Sequence, residues 1–367
     1  MSLTKSSSAP LGPGATIGIL GGGQLGRMLA LAGARLGFKA HIFSDESDAP
    51  AFQVADAYTH GRYDDERELE AFAEACDVVT FEFENVPEAT AHFLSAHVPV
   101  APSPRALAIA QDRFLEKSFV AELGLKTTPF RNVITAQDAV LAWRALGGPC
   151  VLKTRKLGYD GKGQEKIVDE DGAARALVKF GAVPAILEKF VDFSFEASVV
   201  AARGRDGAFT AYDPPKNEHE NHILRRSTVP APLSHAQTGE AATIAKRIAE
   251  ALDYVGVLGV ELFVAEGGAL IVNEIAPRVH NSGHWTIEAC VTSQFEQHIR
   301  AVAGWPLGSP ARHSDAVMEN IIGAEAGDWL ALAAKQAGLH LYGKGEARPG
   351  RKMGHTTRLS PLGTLKS

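Results

Sequence analysis

Over the first hundred residues, short β-branched runs alternate with stretches of helical periodicity. Thr16 to Leu20, Lys39 to Phe43 and Asp77 to Phe81 read as strands, being compact apolar runs bounded by glycine and polar residues. Leu25, Met28, Leu29, Ala32 and Leu36 recur at spacings of three and four between the first two strands, which places them on one face of a helix. A second helical segment, Asp64 to Ala75, begins acidic, as a helix N-terminus favours. Strand, helix, strand in this order predicts right-handed crossovers and a parallel sheet of the α/β class. Ala101-Pro102-Ser103-Pro104 interrupts the pattern, and Arg105 to Leu123 then reads as one helical bridge to a second unit. That unit starts near Thr127, with short strands around a Gly- and Lys-rich loop. A third region, from about Glu196, mixes strands with an Ala-rich helix at Glu240 to Leu252, so the fold as a whole is α/β with α+β character. The expected units are 15–121, 122–195 and 196–367. They follow a Ser/Pro/Gly-rich stretch, 1–14, that reads as a disordered tail without the apolar segment of a signal peptide.

Composition narrows the functional classes. A chain of 367 residues, 45% apolar and 22% charged, suits two or three globular domains. Even the most apolar stretch, Val255 to Val272, carries Glu261 and Glu266, and no run approaches the roughly 18 residues of a membrane span. The expectation is a soluble protein with no membrane partner. A net charge of −6 is the wrong sign for a general nucleic-acid binder. Three cysteines, Cys76, Cys150 and Cys290, form no C-x-x-C pair, which argues against a disulfide framework or a thiolate zinc site and for a reducing, cytoplasmic setting.

Five segments carry candidate chemistry. Gly21-Gly22-Gly23-Gln24-Leu25-Gly26 fits G-x-G-x-x-G between a strand and a helix, and Asp45 stands near the distance of a ribose-binding acid. A nicotinamide-dependent oxidoreductase using Gly21–Gly26 is therefore one alternative; a tight packing turn is the other. Residues 151–164, VLKTRKLGYDGKGQ, place Lys153 on a strand, followed by a loop with Gly158, Gly161, Gly163, Arg155, Lys156 and Lys162. Such a loop suits polyphosphate, although it is not a Walker A loop, and a solvated hairpin tip competes with that reading. Gly267-Gly268 predicts a two-residue hairpin turn in which Glu266 pairs with Ala269, Val264 with Ile271, Phe263 with Val272 and Glu261 with Glu274. Facing carboxylates repel unless a cation lies between them, and magnesium favours such oxygen ligands. Phe263 and Val272 are expected on the same face, which makes a fully solvated edge the weaker reading. RVHNSGHWT, 278–286, offers Arg278, His280, Asn281 and Ser282; its His280/His284 spacing lacks the helix and the general-base Glu of a zinc site, so it reads as a substrate loop. YGKGEARPGRKMGHTTR gathers Lys344, Arg348, Arg351, Lys352 and Arg358 against Glu346, either a phosphate loop or a solvated basic face. No G-x-S-x-G elbow supports a serine hydrolase.

Together GILGGGQLGRM, GYDGKGQ, LEKFVDFSFEASV, Glu261 with Asn273-Glu274, APRVHNSGHWTIEACVTSQFEQHIRA and RPGRKMGH resemble the ATP-grasp enzymes. More narrowly, they resemble the N5-carboxyaminoimidazole ribonucleotide synthetases of purine biosynthesis, from Ala15 to about Leu359. The resemblance implies three domains: a Rossmann-like pre-ATP-grasp sheet without dinucleotide, a central lid, and a C-terminal domain clasping ATP against it. It implies ATP and Mg2+ as cofactors, 5-aminoimidazole ribonucleotide and bicarbonate as substrates, and a homodimer. It would place Arg113 and Lys153 on the ATP phosphates under the loop Gly158, Tyr159, Asp160, Gly161, Lys162, Gly163 and Gln164. Glu188, Lys189, Phe190 and Val191 would form the adenine hinge, Glu196 would hold the ribose, and His219 and Asn273 would lie near the nucleotide. Glu261 and Glu274 would hold the metal. The ribonucleotide would meet Gln24, Glu82, Asn85, Tyr159, Arg278, His280, Asn281, Ser282, Lys344, Arg351 and Lys352. Asp160, His280, Asn281 and Lys352 would manage bicarbonate and protons. Ala276 departs from the Asn that many ATP-grasp relatives use as a further metal ligand. Another ATP-grasp ligase, such as a formate-dependent glycinamide ribonucleotide transformylase, is the nearer alternative.

Overall fold

The computed structural model describes residues 9–156, 158 and 163–365. The first unit is a four-stranded parallel sheet of β1 (Thr16–Leu20), β2 (Lys39–Ser44), β3 (Ala57–His60) and β4 (Val78–Phe81), in the order β3-β2-β1-β4. Its helices are α1 (Gln24–Arg35), α2 (Glu66–Glu74), α3 (Glu88–Ser95), α4 (Pro104–Ala110) and α5 (Arg113–Glu122). Phe43, Phe72 and Phe81 fill one side of this sheet, while Ile17, Leu29 and Ile42 join Trp285, Phe295 and Ile299 from the C-terminal domain on the other. One apolar core thus welds the first domain to the third.

The central unit holds β5 (Phe130–Val133), β6 (Cys150–Thr154), β7 (Gln164–Ile167) and β8 (Ala185–Lys189) in the antiparallel order β5-β8-β6-β7. One face is covered by α6 (Ala136–Leu146) and α7 (Glu170–Lys179). The third unit is a nine-stranded sheet of β9 (Phe195–Arg203), β10 (Phe209–Ala211), β11 (Lys216–Glu220), β12 (Ile223–Val229), β13 (Gly256–Val264), β14 (Leu270–Ala276), β15 (Ser314–Ile322), β16 (Gly338–Leu341) and β17 (Lys352–Pro361). With it come α8 (His235–Ala251), α9 (Thr286–Ala289), α10 (Gln294–Ala303) and α11 (Trp329–Ala333).

Several expectations change. The tail predicted for 1–14 does not reach Leu11, whose N–H donates to Ala303 O at 2.8 Å and whose carbonyl accepts from Trp305 Nε1 at 2.7 Å. The single helix expected over Arg105–Leu123 is two, because Asp112 leaves the helical line to cap α5, accepting from the N–H groups of Phe114 and Leu115. Strand β3 was not predicted, being a largely exposed edge without apolar alternation. Helix α8 starts before Glu240, where Ser234 and Gln237 form a capping box.

The hairpin differs in an instructive way. Ala265 N–H donates to Ala269 O and Gly268 N–H to Ala265 O, so the loop has three residues, with Gly268 at φ +78°. Phe263 therefore faces Ile271, and Leu262 faces Val272, one residue off the predicted pairing. A bulge at Asn273 takes up the offset, and Glu261 faces Glu274 as the count from a shorter turn had it. Val272 joins Leu262 in the apolar core on the opposite face, which corrects its expected place beside the carboxylates.

Candidate active site

The three sheets meet around a cleft of about 910 Å³. Its floor is the β13–β14 hairpin, its roof the β6–β7 face of the central unit, and its far wall the loops after β1, β4 and β16.

At the glycine-rich turn, Gly21 takes φ +103°, and a Cβ there would lie 2.4 Å from Glu82 Cγ. The Gly23 and Gly26 N–H groups donate to Glu82 Oε1 and Oε2 at 2.7 and 3.0 Å. A carboxylate from the neighbouring strand's end thus occupies the helix N-terminus where a dinucleotide would need its phosphate. Burial raises the Glu82 pKa, with these two donors opposing the shift. The oxidoreductase alternative fails on this contact.

On the floor, Glu261 Oε1 lies 3.2 Å from His280 Nε2, and Glu274 Oε2 lies 3.1 Å from Arg113 Nη1. Burial would raise the Glu261 carboxyl, but the bond from His280 and the nearby His219 hold it below its usual value. The donor set fits a hard dication: two carboxylates, with the buried Asn273 Oδ1 lacking any partner between them in sequence. Ala276 also lines the cleft and contributes no ligand atom.

His280 is fixed from behind by a buried relay. Ser227 Oγ donates to Asn217 Oδ1 at 2.8 Å, and Asn217 Nδ2 donates to Ser198 Oγ at 2.9 Å. Ser198 and Ser282 hydroxyls meet at 2.6 Å, and Ser282 Oγ lies 2.8 Å from His280 Nδ1. Followed in that direction, each hydroxyl has one acceptor left to satisfy, so Nδ1 accepts and Nε2–H points at Glu261. Ser282, expected on the substrate, sits under the lining and orients His280 instead.

Under the roof, Arg113 Nη2 donates to Gly158 O at 3.1 Å, tying α5 to the start of the loop. Lys153 Nζ lies 3.0 Å and Lys117 Nζ 3.4 Å from Glu188 Oε2. Burial opposes the ionised form, yet the two lysines hold Glu188 at about 2. Arg155 clamps Asp112 through Nε and Nη2, joining the roof to the N-terminus of α5. Gln164, Phe190, Glu196, His219 and Asn273 line the cleft. His219 Nδ1 pairs with Glu196; burial depresses that imidazole, and the Glu196 contact outweighs it to raise the pKa. Phe193 stacks on Phe263 with centroids 4.6 Å apart, an apolar plate beside this end. Gly163, Glu188, Lys189 and Val191 lie off the lining. Tyr159, Asp160, Gly161 and Lys162 lie outside the described residues.

At the opposite end, Gln24, Glu82, Asn85, Arg278, Lys344, Arg351 and Lys352 line one wall. Arg278 Nη2 donates to Glu84 Oε1 at 3.0 Å, and despite burial this pair holds Glu84 at about 2. Burial and the nearby charges of Arg351 and Lys352 bring Lys344 down to about 8, with Glu82 opposing. Asn281 lines the same space, and both its amide atoms are buried without partners. Arg348 pairs with Glu346 at the surface and Arg358 is exposed on β17, so the basic tail divides between site and solvent. The sequence pattern had not marked Glu84, Glu116, Lys117 or Asp112, whose partners lie up to 194 residues away.

The ATP-grasp domain family matches residues 118–295, the ribonucleotide synthetase preATP-grasp domain 14–111, and the phosphoribosylaminoimidazole carboxylase C-terminal domain 316–362. An N5-carboxyaminoimidazole ribonucleotide synthase of Brucella melitensis biotype 1 (strain 16M) is 54% identical, over 96% of this chain and 98% of its own. An N5-carboxyaminoimidazole ribonucleotide synthetase solved as an ADP complex superposes with a TM-score of 0.93 at 40% identity, covering 96% of this chain and 94% of that one. An Aspergillus clavatus N5-carboxyaminoimidazole synthase in complex with ADP and 5-aminoimidazole ribonucleotide gives 0.89 at 32% identity, covering 95% and 94%. With such identity along almost its whole length, this chain belongs to the N5-carboxyaminoimidazole ribonucleotide synthase family of ATP-grasp enzymes.

Proposed function

We propose that this protein uses ATP and bicarbonate to carboxylate the exocyclic amine of 5-aminoimidazole ribonucleotide, releasing ADP and phosphate. The observation that carries the reading is the Glu261–Glu274 pair on the cleft floor, with the unpartnered Asn281 amide at the substrate end. Bicarbonate oxygen takes the γ-phosphoryl group, giving carboxyphosphate and ADP. The amine nitrogen then bonds to the carboxyl carbon, the carbon–oxygen bond to phosphate breaks, and the amine loses a proton. Arg113 and Lys153 meet the triphosphate and offset charge on the transferring group. Glu261 and Glu274, with Asn273 beside them, would hold a magnesium ion, which when bound would supply further charge neutralisation. His280, fixed by Ser282, donates from Nε2 toward the reacting oxygens or to Glu261, while Asn281, Lys352 and Asp160 orient bicarbonate. Carboxyphosphate must be kept from water while it lasts, the task that the family resemblance gives to the loop of residues 158–164. Arg351 and Lys344 receive the ribonucleotide phosphate, and Gln24 and Asn85 line the same end of the cleft.

The reading includes a cytoplasmic homodimer. It is supported by three free buried cysteines and by exposed Trp329 and Leu330 as apolar surface for a second copy.

The test is ADP release measured with ATP and bicarbonate, with and without 5-aminoimidazole ribonucleotide. Turnover is expected to require that nucleotide for product and to stop when formate replaces bicarbonate; formate-supported turnover on glycinamide ribonucleotide would assign the alternative ligase. A pH series adds a second expectation. Lys344, at about 8, is charged below that value and neutral above it. KM for the ribonucleotide should therefore rise as pH passes 8, by roughly tenfold per lost phosphate contact of about 1.4 kcal/mol. In Lys344→Arg, which stays charged, the rise should vanish; an unchanged pH profile in that variant would remove Lys344 from phosphate recognition.

A further inference from the structure

Outside the cleft lining, Glu288 of α9, His340 of β16 and His355 of β17 each bring one ligand atom within 4.8 Å of the others. Glu288 Oε1 lies 2.6 Å from His340 Nε2, and the His340 and His355 rings stack at 4.5 Å and 10°. Gly338 makes the room: a Cβ there would fall 2.6 Å from Glu288 Cδ.

Two buried atoms of this cluster have no partner. His355 is 0% exposed and its Nε2 is unbonded, and so is Glu288 Oε2. Each is an orphan of the kind that costs about 1–3 kcal/mol when left unmet. His355 Nδ1 lies 2.9 Å from Tyr342 Oη. With the proton on Nδ1 and donated to that oxygen, the Nε2 lone pair is bare, the arrangement by which a ligating imidazole is oriented from its far nitrogen.

We propose that Glu288, His340 and His355 form a zinc site, separate from the magnesium carboxylates of the cleft. Two imidazoles and a carboxylate with one position left for water are a zinc donor set, whereas magnesium selects oxygen. Tetrahedral ligands at about 2.1 Å from an ion stand roughly 3.4 Å apart, within the range of separations present here. An ion at this point would join α9, which follows the Asn281–Gly283 turn, to β16 and β17, which lead to Lys344 and from Lys352. It would brace the wall that receives the ribonucleotide phosphate.

The test uses full-length protein stripped by chelator, titrated with Zn2+ against a chromophoric chelator and with Co2+ by visible absorption. One equivalent should bind, and it should remain in Glu261→Gln/Glu274→Gln. Glu288→Gln and His340→Gln, both at partly buried positions and checked for fold by circular dichroism, should each weaken it on the order of 100-fold and change the Co2+ spectrum. Absence of an equivalent at micromolar metal, equal affinity in folded His340→Gln, or loss in the cleft variant would each overturn the assignment.

Discussion

Glu274→Gln is expected to lower kcat for ribonucleotide carboxylation by at least about 10³-fold, near 4 kcal/mol of transition-state stabilisation. The carboxylate is one of two that face each other across β13 and β14, and it also holds Arg113 at 3.1 Å. Its loss removes an oxygen ligand and frees the guanidinium at once. The fold should survive, because Glu274 is a source of strain as well as an anchor. Glu116, fully enclosed and accepting from Ile275 N–H, is pushed up to about 8 by burial and by the Glu274 charge. Between the usual 4.5 and 8 the folded chain keeps a proton on Glu116 that the unfolded chain has lost. Stability from this group therefore falls as pH rises through that window and levels above it. Removing the Glu274 charge narrows the window, so thermal unfolding at pH 8 should show no loss in the variant. Steady-state kinetics and melting curves on one preparation check both halves; near-normal kcat would take the metal role from Glu274.

Much of this site was legible because its residues sit in runs whose local chemistry is unusual. Strand β1 was predicted over its observed range, Glu261 was placed opposite Glu274, and the basic segment supplied Lys344, Arg351 and Lys352 to the cleft. The hairpin shows how such a reading can reach the right pair through a wrong turn: a loop one residue longer and a bulge at Asn273 shift the register in opposite senses. What stayed hidden is closed by distant partners. Gly21–Gly26 carries a phosphate-binding pattern, yet its donors are spent on Glu82, 59 residues from Gly23. Glu84 meets Arg278 across 194 residues, and Glu188, expected at the adenine from the family resemblance, has both lysines as neighbours because β8 folds over α5. Spacing along a chain reports one element's face; which face it meets is decided by the fold.

That last contact gives the largest expected effect on stability. Glu188 is 2% exposed, and the Lys117 and Lys153 side chains are 2% and 13% exposed. Lys117 also donates to Asn273 O at 2.9 Å, so this lysine joins α5, the central sheet and the hairpin strand β14. Burial already depresses Lys117, with the Glu188 charge opposing. Glu188→Gln leaves that ammonium enclosed without a counter-charge and should destabilise the chain by about 3–5 kcal/mol at pH 7. The sign with pH follows from the pair. Glu188 falls from the usual 4.5 to about 2 on folding, so its contribution is complete above 4.5 and is lost as pH drops toward 2. The gap between parent and variant in urea unfolding should therefore close over that interval. Glu188→Leu with Lys117→Met replaces the pair by apolar volume and should recover most of the stability, since removing both charges also removes the penalty of burying them. It should not recover nucleotide affinity, because Lys153 loses the carboxylate that aims it into the cleft, and KM for ATP should stay raised by about tenfold or more, one lost charged contact. Full rescue of both properties by the double variant would show that Glu188 serves packing alone; no loss of stability in Glu188→Gln would show that Lys117 is neutral in the folded chain.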